Sequence, residues 1–324
     1  MTIMSMPLNN ETLVALLVGS VVKFLGLGII SSRKRKELVG HVSRLYVFPL
    51  KSARELPGET HEVELTEYGI VYRGAGDRHW LVTRNGDMMT MKQSARLTLI
   101  NTSLEADFLC LDAQGMDTLR LSLQPEVDPK RVSNVTVKET PLPALDLGDK
   151  AAAWVSAVLR MDGLRLHHAA PGLQRRLSCK VQKAWPTQIA DTDEVAFQDF
   201  GHCMIMTESS LDELNDRLPE QMSAIPFRPN VIVDGSRPFD EDNWKEVHFG
   251  ESAAVRYVDK CTRCLITTIH HETAEKYKDD QPLTELKKYR CMPPYGPKPC
   301  MGIHTVVLKP GHIRLGDPVY VLRR

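Results

Sequence analysis

Short apolar runs separated by turn residues dominate residues 41–148. Residues 41–50 (HVSRLYVFPL), 62–70, 80–83, 96–104 and 118–123 each carry the length and the β-branched or aromatic content of a strand. Between two of these runs stands Asn85-Gly86-Asp87, which predicts a tight hairpin because Asn and Gly accept positive φ. Helical periodicity appears after Asp149, which reads as a cap: Trp154, Val155, Val158 and Leu159 share one face, and Gly163 closes the helix. A second helix is signalled by the capping box Ser210-Leu211-Asp212-Glu213, followed by Leu214 and Leu218 at helical spacing from Leu211. Strand patterns return at 230–233, 253–258, 265–269, 304–308 and 318–322, while residues 291–302 are irregular and rich in Pro and Gly. No repeat or low-complexity stretch interrupts this order. The pattern predicts an α+β chain that is mainly β.

One segment departs from it. Residues 13–30 (LVALLVGSVVKFLGLGII) are apolar on nearly every face, apart from Ser20 and Lys23. As a helix this run is about 27 Å long, enough to cross a bilayer. Lys23 near its middle costs ~3 kcal/mol unless the side chain snorkels to an interface. The flank Arg33-Lys34-Arg35-Lys36 follows, whereas residues 1–12 contain no Lys or Arg. That asymmetry predicts a signal anchor with the rest of the chain in the cytosol. A cleavable signal peptide has the opposite polarity. A buried core helix is the competing reading, disfavoured by the length and the flanks.

Composition changes the picture little. Lys plus Arg and Asp plus Glu both number 41, so there is no basic excess of the kind a nucleic-acid binder carries. Seven cysteines without regular spacing fit free thiols in a reducing compartment.

Candidate chemistry centres on Cys261-Thr262-Arg263-Cys264. A zinc ribbon needs a second close pair, but Cys291 and Cys300 stand nine apart and Cys179 and Cys203 are isolated. A thioredoxin-type pair sits at a helix start, whereas residues 265–269 read as a strand. Two readings remain open: one thiolate on a soft metal with Arg263 favouring its deprotonation, or two ordinary packed cysteines. Lys51-Ser52, Asp77-Arg78 and Arg228-Pro229-Asn230 place cations at strand ends, and Thr207, Ser209 and Ser210 begin a helix. Together they make a candidate anion site, although each alone is commonly a solvated group or a cap. Among the eleven histidines, His167-His168 and His270-His271 are adjacent pairs that point to opposite faces of a strand, so structural roles are favoured. No P-loop is present, no nucleophile elbow, and Gly74-Ala75-Gly76 is not a dinucleotide fingerprint.

The motifs, in their order, resemble one family. Residues 42–52 (VSRLYVFPLKS) and 76–83 (GDRHWLVT) are similar to the N-terminal β-barrel that precedes MOSC domains. Residues 206–215 (MTESSLDELN), 227–235 (FRPNVIVDG), 261–268 (CTRCLITT) and 316–322 (GDPVYVL) resemble the MOSC domain of molybdenum enzymes, in particular its amidoxime-reducing branch. The resemblance implies an anchor at 1–38, a β-barrel domain at 39–165 and a MOSC β-barrel domain at 166–324. It implies a molybdenum cofactor (Mo-molybdopterin) with Cys264 as the protein ligand of the metal. Lys51, Ser52 and Arg78, with Ser209, Ser210, Arg228, Asn230, Thr262 and Arg263, are then expected to contact the pterin and its phosphate. The implied activity is reduction of amidoximes, hydroxamic acids, N-hydroxyguanidines and other N-hydroxylated compounds, with nitrite as a further substrate. Electrons are expected from NADH through cytochrome b5 reductase and cytochrome b5, at the cytosolic face of the mitochondrial outer membrane. Two alternatives stay open: a sulfurtransferase carrying a persulfide on Cys264, which the missing aminotransferase-like domain disfavours, and a non-enzymatic cofactor carrier. The sequence departs from the family at Gly201-His202-Cys203, at His270 and in the loop 291–300, which are expected to border the substrate opening.

Overall fold

The computed structural model describes residues 35–58, 60–181 and 185–324. The apolar run at 13–30 lies outside them, and among the described residues no helix is long and apolar enough to cross a membrane. Residues 38–324 form one compact unit.

Two closed barrels organise this unit. Around the larger run Glu37–Leu45, Val231–Val233, Cys203–Thr207, Cys300–Lys309, Ala253–Thr262, Trp244–Phe249 and Pro318–Arg323. Cys203–Thr207 and Val231–Val233 are parallel, whereas Ala253–Thr262 and Cys300–Lys309 form a long antiparallel pair. The smaller barrel contains Val132–Val137, Thr140–Asp146, Leu164–His168, Trp80–Arg84 and Asp87–Met88. The halves of the chain interlock: the early strand Glu37–Leu45 completes the larger barrel, and the late strand Gly311–Arg314 pairs with Glu62–Thr66. One apolar cluster runs through both, and includes Leu50, Trp80, Val231, Trp244 and Ile303.

Turn chemistry behaves as expected at the predicted hairpin. Asn85 and Gly86 take φ of 52° and 82°, so Arg84 faces Asp87 across the turn. Four expectations are corrected. Residues 265–269 form a 3-10 turn, Leu265–Thr268, because the Thr267 and Thr268 hydroxyls donate to the carbonyls of Cys264 and Leu265 at 2.9 and 2.8 Å. Such threonines offer the backbone a local alternative to a ladder. Residues 96–104 divide into a 3-10 turn, Ala95–Leu99, and a strand, Asn101–Glu105. Asp149 is the first residue of its helix rather than the cap, since Gly148 at φ 90° takes the capping position. The second helix, Glu208–Asn215, begins earlier than its capping box: Thr207 accepts the Ser210 N–H and makes Ser210 an internal residue.

Candidate functional site

A pocket of about 160 Å³ opens where the barrels meet. Lys51, Ser52 and Arg78 line it from the first half of the chain, and Arg228, Asn230, Thr262, Arg263 and Cys264 from the second. Lys51 follows Leu50, which bridges to Trp80, and the Lys51 N–H donates to the Trp80 carbonyl at 2.9 Å. Three lining residues are held in the left-handed region: Ser52, Arg78 and Arg228, at φ 70°, 54° and 56°. Backbone strain of this kind costs on the order of 1 kcal/mol per residue and concentrates at functional sites.

The deep wall is built around Phe48. The guanidinium carbons of Arg78 and Arg228 lie 4.8 and 4.1 Å from its ring centroid. Buried Asp77 accepts the Phe48 N–H at 2.9 Å and pairs with Arg78. Asn230 ties the same wall together: its carbonyl oxygen accepts Arg78 Nη1 and the Met204 N–H, both at 3.1 Å, and its amide donates to the Tyr46 carbonyl.

This wall gathers cations that have lost water. Burial, then repulsion from Arg78, pulls Arg228 down to about 9. Its Nη1 donates to the Ala53 carbonyl at 2.8 Å, but Nη2 is buried without a hydrogen-bond partner. Burial likewise pulls Lys51 down to about 8, although Asp199 lies 2.5 Å away and opposes the shift. Burial pushes the Asp199 carboxyl up, but Lys51 and Lys138 outweigh it and hold the group well below the usual carboxylate range. A buried donor without a partner beside desolvated cations is a seat for an anion.

The opposite side of the pocket carries the thiol. Strand Ala253–Thr262 ends just before Cys264, which is exposed and caps the 3-10 turn Leu265–Thr268 in extended conformation. Cys261 is buried in a methionine-rich cluster with Met204, Met206, Met222 and Met301. Arg263 does not reach outward. It donates to the Met301 carbonyl through Nε at 2.9 Å and to the Phe227 carbonyl through Nη1 at 2.9 Å, and so clamps the loops beside Cys264.

Residues 39–162 match the MOSC N-terminal beta barrel domain, and residues 192–320 match the MOSC domain. The chain is 36% identical over 296 residues to mitochondrial amidoxime-reducing component 1 of Mus musculus, covering 90% of this chain and 84% of that protein. It is 34% identical over 319 residues to component 1 of Danio rerio, covering 96% and 95%. The chain belongs to the amidoxime-reducing component family of MOSC proteins. Component 2 of Homo sapiens is 36% identical over 295 residues, covering 89% of this chain and 85% of that protein.

Within this MOSC chain the structure brings together eight of the ten singled-out residues and leaves Ser209 and Ser210 apart from the pocket. The Ser210 hydroxyl donates to Glu241 at 3.0 Å and accepts the Phe239 N–H at 2.7 Å, and Ser209 bonds Thr207. The stretch that reaches the pocket from this region is Gln198, Asp199, Phe200 and Gly201, ahead of strand Cys203–Thr207. Sequence reasoning missed Asp199 because nothing local marks it. The usable signal was indirect, since a buried lysine calls for a carboxylate somewhere in the fold.

Proposed function

We propose that this chain is a molybdenum-cofactor reductase of N-hydroxylated compounds. It would be anchored in the mitochondrial outer membrane by residues 13–30 and supplied with electrons from NADH through cytochrome b5 reductase and cytochrome b5. MOSC domains are a molybdenum-cofactor-binding family, and the relatives are named for amidoxime reduction and for mitochondria. The observation that carries the reading is the polarity of the pocket: an exposed thiol at Cys264 on one side, and buried Lys51, half-buried Arg78 and the unpartnered Nη2 of Arg228 on the other. That arrangement suits a molecule with a soft metal at one end and a phosphate at the other.

In this reading Cys264 is the metal ligand, and Lys51, Arg78 and Arg228 hold the phosphate. Ser52, Asn230 and Thr262 line the space between, and residues 39–165 and 166–324 each supply part of the seat. The bound cofactor supplies the two-electron exchange. Reduction of the substrate breaks its N–O bond, takes up two electrons and two protons, and releases water. The chain's own residues fix the thiol, neutralise the anion and exclude water with Met91, Phe200 and Ile266. Arg263, spent on backbone carbonyls, keeps Cys264 in register rather than touching the cofactor.

The test is the molybdenum and pterin content of residues 33–324 purified from a host that makes the cofactor, followed by amidoxime reduction with NADH, cytochrome b5 and its reductase. Near-stoichiometric metal and turnover are expected. Cys264→Ala is expected to abolish turnover with the fold intact, and Cys261→Ala to be much milder. A folded fragment free of metal and pterin overturns the reading in favour of a persulfide on Cys264.

A further inference from the structure

Beyond Cys264 the pocket opens into a larger groove of about 980 Å³. Asp199, Phe200, Thr262, Arg263 and Cys264 line both spaces, so they meet at the exposed thiol. The groove is concave and near the upper end of the ~300–1,000 Å³ range of small-molecule clefts.

Its charge is one-sided. Lys92, Lys138, Lys276, Lys287 and Lys298 line it against a single carboxylate, Asp199. Asp199 is already held by Lys51 at 2.5 Å and Lys138 at 3.4 Å. Lys276 pairs with Asp280, in an exposed pair at 3.4 Å of little energetic weight. Lys92 and Lys287 are exposed and form no ion pair among the described residues. The chain as a whole balances 41 basic against 41 acidic residues, so this excess is local. A cleft lined by one sign of charge focuses its field on an entering anion.

One cation of the groove is held in place by a buried indole. Buried Trp185 donates its indole N–H to Asp259 at 2.9 Å, and Asp259 also accepts the Tyr295 hydroxyl at 2.8 Å. The Tyr295 ring meets Trp185 edge-on with centroids 5.1 Å apart, and the Lys298 ammonium lies 5.1 Å from the Trp185 ring centroid. The Lys298 ammonium is thus positioned over the face of a buried, locked indole.

We propose that this groove is the substrate cleft, and that it selects N-hydroxylated compounds bearing an anionic group such as a carboxylate. The anion is drawn to Lys287 and to Lys298, and the N-hydroxyl end approaches Cys264. The inference rests on the reductase reading and adds the substrate class to it.

The experiment compares benzamidoxime with its 4-carboxylate on the full chain loaded with cofactor. The expected result is kcat/KM about tenfold higher for the carboxylate at low ionic strength, with the preference shrinking as salt is added. A Lys287→Gln/Lys298→Gln double variant should bring the ratio close to one by raising KM for the carboxylate, leaving kcat and the neutral substrate unchanged. Titration of the 4-carboxylate should also quench tryptophan fluorescence, a signal lost in Trp185→Phe. Equal kcat/KM for the two substrates overturns the proposal. So does a double variant that slows both alike, which would assign the lysines to an acidic electron-donor protein. If neither compound turns over, the reductase reading fails, and the fluorescence titration still decides whether the groove binds the anion.

Discussion

Two regions of this molecule gather hydrogen-bond donors suited to an anion, and only one has them to spare. At the start of helix Glu208–Asn215, the hydroxyls of Thr207 and Ser210 converge on a buried carboxylate, Glu241, each at 3.0 Å. The chain fills that place with its own acid, and burial followed by the charge of Asp242 pushes Glu241 up to about 7. In the pocket, Arg228 keeps an unpartnered buried nitrogen, and Lys51 and Arg228 both sit below their ordinary values because they are desolvated. Donor chemistry alone does not make a binding site; unspent donors do.

The comparison breaks first at Arg228. Arg228→Ala is expected to weaken inorganic pyrophosphate binding to the cofactor-free chain by about 3 kcal/mol, more than 100-fold, in isothermal titration. Ser210→Ala should leave that affinity untouched; a comparable loss there would erase the distinction between the two regions.

Glu241 sharpens it through pH. Its folded-state value of about 7 lies above the unfolded value of about 4.3, so the folded chain keeps a proton that the unfolded chain loses between them. Stability therefore falls as pH rises through that window, by roughly 3–4 kcal/mol, and the loss is complete above pH 7. Denaturant unfolding of Glu241→Gln should show a flatter profile from pH 4 to 7.

Ser210→Ala should cost about 1–2 kcal/mol of stability near pH 7, because a buried acid loses a donor. Thermal unfolding measured beside the binding titration separates this structural role from a ligand role.

The smallest effect belongs to Lys51. Its value is lowered to about 8, so the ammonium is present below that pH and lost above it. Pyrophosphate affinity should fall several-fold between pH 7 and 9, and Lys51→Gln should leave only the part of that fall due to Arg228 while weakening binding at pH 7. A pH-independent affinity in the unsubstituted chain would show that Lys51 does not face the anion.

Much of the architecture was legible from local signals. The alternation of apolar and turn residues announced a mainly β chain, and Asn85-Gly86 announced its hairpin, because both depend on neighbours in sequence. Local signals failed where two local states compete. The run 265–269 has strand composition, yet its threonines bond back onto the preceding carbonyls and close a 3-10 turn. Ser210 has the composition of a cap, yet Thr207 takes that role.

The sequence by itself determined the family, the position of Cys264 beside a strand end, and the cations at Lys51, Arg78 and Arg228, since residue types at motif spacing carry that information. Only the tertiary structure decided which donors are spent. It turned Arg263 inward onto the Met301 and Phe227 carbonyls and gave Ser210 to Glu241, thirty-one residues away. It brought Asp199 against Lys51 across 148 residues and left Arg228 with a free donor. Hydrogen-bond partners at such separations depend on how the barrels close, and no window of sequence contains both members of the pair.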